Sequence, residues 1–270
     1  MNMQPFSISP NPHLLYETPA LKNALFKTRH VLDNRQGLTM LLGPVGTGKS
    51  SLLRYIYTEY HAREEYECKI LPSPNYISDF AFLKAISAEY GLGPRRSVLD
   101  QENDLRGRMV ELYREGKSAV VFIDEAQKLK GAQLELLRTL LNFETHEHKL
   151  INFVIAGQME LAAKLADPSK EAIRSRVFLP SSLDPLTLPE TTGMIEFRCM
   201  KAEIPCPFDS EAIAEIYDRT GGIPREILKV CSFAHALGQK QKLKLYPVEL
   251  VALAAKEVMN GTGRQSAAVE

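Results

Sequence analysis

Apolar positions along this chain alternate between two rhythms. Predominantly apolar runs occur at Leu38–Leu42, 119–123 and 150–156, interrupted only by Thr39 and Asn152, and Lys69–Leu71 reads as a shorter strand. Runs of this length without polar alternation predict strands buried on both faces of a parallel sheet. Between them apolar residues return every three or four positions, which predicts helices. Thr18 is placed to cap a helix that Pro19 opens, with Leu21, Ala24, Leu25, Thr28, Val31 and Leu32 on one face. Further helices are expected from Lys49 to about Arg63, at 78–90, at 100–115 along Leu105, Met109 and Leu112, and at 133–143 along Leu134, Leu137, Leu140 and Leu141. Pro72-Ser-Pro-Asn75 breaks the chain, and 91–96 is a loop carrying Arg95 and Arg96. The composition turns to Pro, Ser and Leu across 180–189, a predicted boundary. Four helices follow, at 189–203, 209–220, 224–238 and 247–259, and 261–270 reads as a frayed polar tail. The lead-in, 1–18, is proline-rich. Its Phe6, Ile8, Leu14, Leu15 and Tyr16 are expected to pack on the body, over core or beside a bound base.

The strand at 38–42 runs into Gly43-Pro-Val-Gly-Thr-Gly-Lys-Ser50, which fits the pattern GxxxxGK[ST] at every fixed position. Glycines let backbone N–H groups turn inward without a Cβ in the way, and the following helix start adds unpaired donors. A phosphate-binding loop is therefore expected over Gly43, Pro44, Val45, Gly46, Thr47, Gly48, Lys49, Ser50 and Ser51. Lys49 would reach the β- and γ-phosphates of ATP and Ser50 would complete a Mg²⁺ shell; the alternative is a structural turn. The run at 119–123 ends in Asp124-Glu125. At the carboxyl edge of a parallel sheet, Asp124 would hold Mg²⁺ and Glu125 would polarise a water as general base. The alternative is a helix cap.

Three further candidates follow. Gln158 ends the strand at 150–156 and could sense a γ-phosphate, or serve as a turn residue. Arg174 and Arg176 cannot share one helical face, so one could point at a neighbouring subunit and stabilise charge on the transferring phosphoryl group. The alternative is surface ion pairing. Gly222-Ile-Pro-Arg225 puts a cation at a helix start, against the dipole, where it could reach a γ-phosphate or simply meet solvent.

Charge changes the picture little. Lys+Arg and Asp+Glu are both 33, so bulk attraction to nucleic acid is not indicated, though a local basic patch is open. No apolar run is long enough to span a bilayer and no secretory leader is visible. Four cysteines without framework spacing fit a reducing cytoplasm. Cys231 and His235, four apart, read as half a metal site or as two packed residues.

Taken together, Gly43–Ser50, Asp124-Glu125, Gln158, Arg174/Arg176 and Gly222–Arg225 resemble the AAA+ ATPases, in that family's order. Pro5-Phe6, Pro10-Asn-Pro12, Leu15-Tyr16, Asp124-Glu-Ala-Gln127 and Ala156-Gly-Gln158 are most similar to the general secretion pathway protein A type, to which transposition helper ATPases such as phage Mu transposition protein B are related. The resemblance implies an α/β fold: a three-layer αβα domain with a parallel sheet over 1–183, a helical lid over 184–262 and a flexible tail over 263–270. It implies Gln158 as sensor 1, although Asn or Thr is commoner there, Arg225 as sensor 2, and Arg176, with Arg174 second, as an arginine finger. It implies an ATP-dependent ring or helical oligomer. The secretion proteins continue into a membrane span and a peptidoglycan-binding region. Ending at Glu270, this chain is expected to be a cytoplasmic ATPase without membrane contact that assembles on double-stranded DNA and regulates a transposase. The alternative is an ATPase driving assembly of a secretion or envelope machine through protein contacts. Candidate DNA contacts are Lys69, Arg95, Arg96, Lys128 and Lys130.

Overall fold

A computed structural model describes residues 4–9 and 11–260, so Pro10 and the expected tail at 263–270 lie outside the described residues. The described chain forms two compact units, one of residues 19–45 and 49–183, the other of the lead-in through Thr18, residues 46–48 and the segment from Asp184 onward.

The first unit is built on a five-stranded parallel sheet of β1 (Leu38–Leu42), β2 (Tyr66–Leu71), β3 (Ser118–Ile123), β4 (Ile151–Gly157) and β5 (Ser181–Ser182), in the order β2-β3-β4-β1-β5. Its helices are α1 (Pro19–Asp33), α2 (Lys49–His61), α3 (Asp79–Glu89), α4 (Val98–Arg114), α5 (Gly131–Leu140), α6 (Met159–Ala166) and α7 (Glu171–Arg174). Every residue of β3 and β4 is buried. The period of two then sorts them by face. Ala119, Val121, Ile123, Ile151, Phe153 and Ile155 join one core with Leu83, Leu105 and Leu137 of α3, α4 and α5. Phe122 meets Tyr57 of α2 edge-on across the other face, with ring centroids 5.6 Å apart. The sheet is thus covered on both sides, as its lack of polar alternation requires.

Helix starts follow local chemistry. Ser78 and Ser97 hydroxyls accept from the amides of Ala81 and Asp100, both at 3.0 Å. At the sheet's amino end, the buried Asn152 side chain accepts from Gly37 N–H (3.0 Å) and donates to Ser118 Oγ (3.2 Å) and the Ala119 carbonyl (3.4 Å). One amide group therefore serves β1, β3 and β4 together.

Several boundaries differ from the sequence reading. β2 starts at Tyr66 rather than Lys69; it is an edge strand whose Glu67 and Lys69 pair with each other at 2.7 Å, so polar residues interrupt its apolar signal. After Arg176 there is only a single bridge, Val177 to Leu38, and β5 is the polar pair Ser181–Ser182. α6 and α7 fill the stretch between β4 and Arg176.

The second unit contains α8 (Leu188–Lys201), α9 (Ser210–Thr220), α10 (Pro224–Lys240) and α11 (Val248–Asn260). Thr187 and Glu190 form a reciprocal capping box at α8, and Asp209 caps α9. The lead-in belongs to this unit, which corrects its assignment to the sheet-bearing part. Phe6 packs edge-on against Phe208 (5.7 Å) and His235 (5.6 Å), Tyr16 lies 5.7 Å from Phe197, and Arg198 Nη1 donates to the Ser7 carbonyl at 3.2 Å. These aromatic contacts outweigh sequence proximity to β1. Ile8 is exposed rather than packed.

Replacing Asn152 with Val leaves the buried Gly37 N–H without its acceptor. The expected loss is about 1–3 kcal/mol, read as a lower urea midpoint at unchanged slope.

Candidate functional site

The site residues of the sheet unit gather at one edge because its strands are parallel. Leu42 pairs with Gly157, while Met40 and Ile123 both pair with Ile155. The loops after β1, β4 and β3 therefore leave the sheet at nearly one level, with β1 and β3 separated by roughly 10 Å, two strand spacings. Gly43, Asp124 and Gln158 each follow directly from these strand ends, and Lys49 lies seven residues past β1 at the start of α2.

After β1 the backbone takes positive φ at Gly43 (151°), Gly46 (86°) and Gly48 (99°), which only glycine adopts without strain and which turns amides inward. Lys49 opens α2 and is buried, with its Nζ donating to the Pro44 carbonyl at 2.6 Å. A buried ammonium needs oxygen acceptors, and a phosphate would be a stronger one than a carbonyl. Ser50 and Ser51 follow in the first turn of α2, Thr47 is buried, and Val45 is exposed.

Asp124 is buried at the end of β3, and its Oδ1 accepts from Glu125 N–H at 2.9 Å. Glu125 stands at φ 52°, a left-handed conformation uncommon outside glycine, and its side chain caps no helix. Its carboxylate is instead engaged by Lys128 Nζ and by Ser73 Oγ (3.2 Å), while Lys128 also donates to Ser73 Oγ at 3.0 Å. The general-base candidate is thus held by a cation three residues on.

Gln158 precedes α6 and its N–H donates to Gln127 Oε1 at 3.2 Å. Lys164 donates to the carbonyls of Gln127 (2.8 Å) and Leu129 (2.7 Å), tying the loop after β3 to α6. Sequence reasoning missed Ser73, Lys128 as a partner of Glu125, and the Gln127–Lys164 tie; only Gln127, beside the acid pair, carried a local signal. Arg174 is the exposed last residue of α7 and donates to the Ala166 carbonyl at 3.3 Å. Arg176 is half-buried just beyond it. In the helical unit, Arg225 is exposed in the first turn of α10, and its N–H donates to the Gly46 carbonyl at 3.1 Å.

The donor set suits Mg²⁺. Among the described residues no cluster of three or more His, Cys, Asp or Glu forms a ready cage. Ser50 and Asp124 offer two hard oxygens, and Mg²⁺ is commonly held by one or two protein oxygens together with phosphates and water. Cys231 and His235 are packed residues: Cys231 is fully buried and His235 Nδ1 is hydrogen-bonded with the Tyr246 hydroxyl at 2.8 Å. Four of the proposed DNA-contacting cations have partners within the chain. Lys69 pairs with Glu67 (2.7 Å), Arg95 with Asp104, and Lys128 with Glu125, while Lys130 donates to the Ile77 carbonyl (3.3 Å). Arg96 is exposed. Among the described residues no helix is long and apolar enough to cross a membrane.

Residues 32–165 match a family model described as AAA domain. The chain is 34% identical over 233 residues to general secretion pathway protein A of Aeromonas hydrophila, an alignment covering 85% of this chain and 42% of that protein. The chain thus spans less than half the length of that relative. Its fold is similar to that of the Aeropyrum pernix ORC1 protein, solved in complex with DNA (TM-score 0.71, 17% identity, 94% of this chain and 69% of that one). It is also similar to Cdc6p from Pyrobaculum aerophilum (TM-score 0.68, 20% identity, 94% and 70%).

Gly46→Ala and Gly48→Ala are expected to separate strain from collision. Both force a side chain into positive φ, at about 1–2 kcal/mol. A Cβ at Gly46 would also fall 2.8 Å from Ile223 Cγ2 and 3.1 Å from Arg225 Cβ, whereas at Gly48 nothing lies within 4 Å. Thermal melts without nucleotide should show the larger drop for Gly46→Ala.

Proposed function

Because the chain carries an AAA domain and belongs with the AAA+ ATPases, we propose that Gly43–Ser51, Asp124 and Glu125 bind and hydrolyse ATP. The observation carrying this reading is the shared sheet edge, where the glycine loop, Gln158 and the acid pair leave three adjacent parallel strands. Loop amides and Lys49 grip the β- and γ-phosphates. Ser50 and Asp124 hold Mg²⁺, whose chemistry when bound is to neutralise charge on the phosphate oxygens. Glu125 orients and deprotonates the attacking water once its carboxylate leaves Lys128. Gln158 reports the γ-phosphate, and Arg225 adds a cation to it. Arg176, or Arg174 after it, supplies charge to the nucleotide of an adjacent copy, so turnover requires an oligomer.

ATP-driven self-assembly then serves a partner, in the cytoplasm where ATP is supplied. The first partner reading is double-stranded DNA, with assembly on it regulating a transposase; the fold likeness to a DNA-complexed ORC1 protein supports it. The second is a protein component of a secretion or envelope machine, favoured by the 34% identity to general secretion pathway protein A. The internal partners of Lys69, Arg95, Lys128 and Lys130 weigh toward the second. Binding of fluorescent duplex across a salt series with a non-hydrolysable ATP analogue separates them. The DNA reading requires ATP-dependent affinity that falls steeply with salt; no binding at low salt leaves the protein partner.

Lys49→Ala is expected to abolish ATP binding, and unchanged affinity in a titration would remove the loop assignment. Glu125→Gln should bind ATP normally while turnover falls by roughly 10²–10⁴; normal hydrolysis would exclude it as base. Lys128→Ala breaks a pair that is nearly half exposed, so stability should move by less than about 1 kcal/mol. Its basal turnover should rise several-fold in a phosphate-release assay, because Glu125 no longer has a competing cation.

A further inference from the structure

The helical unit holds a pair of thiols that nucleotide chemistry does not use. α8 ends in a tight reversal in which Glu203, at φ 56°, donates to the Met200 carbonyl (3.1 Å) and Ile204 donates to the Cys199 carbonyl (3.1 Å). The reversal turns the chain back on the helix and packs Cys206 against the core cluster that holds Cys199. Pro205 and Pro207 restrict the backbone on either side of Cys206. The Pro207 carbonyl accepts from Tyr246 N–H at 2.8 Å, and the Cys206 thiol donates to the Phe208 carbonyl at 3.6 Å. Both members of the pair are therefore held in place by backbone.

Access to solvent is unequal. Cys199 and Cys231 are buried, whereas Cys206 is partly exposed. Hydrogen bonding from Cys199 lowers the Cys206 thiol to about 7, against the opposing effects of burial and nearby Glu196, and the same contact pushes Cys199 up. A partly exposed thiol with thiolate character beside a second thiol is the arrangement of an attacking and a resolving cysteine.

We propose that Cys199 and Cys206 are a peroxide-responsive dithiol that closes to a disulfide and ties residues 202–207 to the end of α8. The Cys206 thiolate attacks one peroxide oxygen, the O–O bond breaks, and the departing hydroxide takes a proton to leave as water, giving a sulfenic acid. Cys199 gives up its proton and attacks that sulfur; the S–O bond breaks and a second water leaves. Two thiols and one hydrogen peroxide become one disulfide and two waters, with two electrons passing from sulfur to oxygen.

The test uses the full chain, reduced, treated with hydrogen peroxide, alkylated and mapped as peptides. The expected product lacks two alkylatable thiols, carries a Cys199–Cys206 link, is lighter by about 2 Da before alkylation, and reverts with dithiothreitol. Cys206→Ser and Cys199→Ser should each abolish the link, and Cys231→Ser should leave it. Mapping the unsubstituted chain decides the matter even if a variant fails to fold. Four alkylatable thiols after peroxide, a sulfinic acid on Cys206 without a link, or a bond to Cys231 or to a second copy would each overturn the proposal.

Discussion

Parallel pairing of β3, β4 and β1 is the constraint on which the site depends. A parallel ladder sends every strand out at the same edge, and each return must cross a face of the sheet through a helix. The register fixes the level at which Gly43, Asp124 and Gln158 emerge, so chemistry distributed over more than a hundred residues converges without long loops. Burial of both sheet faces makes that register hard to slip, since a one-residue shift would exchange the core shared with α3–α5 for the face that meets α2. Asn152 adds directional bonds at the opposite end, joining the backbone beside β1 to the start of β3.

The two charged groups most exposed to this geometry are both occupied by internal partners. Lys49 donates to the Pro44 carbonyl of its own loop, and Glu125 accepts from Lys128 and Ser73. In the proposed site a triphosphate would compete directly with the Pro44 carbonyl, being a charged acceptor against a neutral one. Glu125 is different, because its competitor is a full cation at a half-exposed position, worth little in stability yet sufficient to orient a carboxylate. In the proposed reading, binding and hydrolysis would therefore be governed by separate contacts at the same edge of the sheet.

The glycine turn after β1, the acid pair at the end of β3 and the central strands were legible because each rests on local physics. Glycine is favoured where φ is positive, and a predominantly apolar run without regular polar alternation marks a strand buried on both faces. The helical face from Leu21 to Leu32 was legible for the same reason, and all six of its residues are buried. What escaped was set by partners distant in sequence. β2 hid its apolar signal behind Glu67 and Lys69, and β5 has none, its pairing with Leu41 and Leu42 being a property of the neighbour. Ser73 lies 52 residues from Glu125, and no spacing rule links them. Lys69 and Arg95, named singly as candidate DNA contacts, pair with Glu67 and Asp104, carboxylates that the fold places beside them.

The lead-in shows how far such partner effects reach. Its apolar residues predicted packing but not an address, because hydrophobic burial is non-directional. The address came from shape and polarity: Phe6 meets the rings of Phe208 and His235, and the Ser7 carbonyl meets the buried Arg198 guanidinium. Desolvation drives Arg198 down to about 10. Among the described residues this buried cation pairs with no carboxylate, so it depends on neutral acceptors, and the Ser7 carbonyl is one of them. Phe6 and Ser7 thereby join a core made otherwise from residues beyond Asp184. A boundary drawn at one point along the sequence cannot represent a unit assembled from both ends, whereas the contacts of Phe6 and Arg198 define it directly.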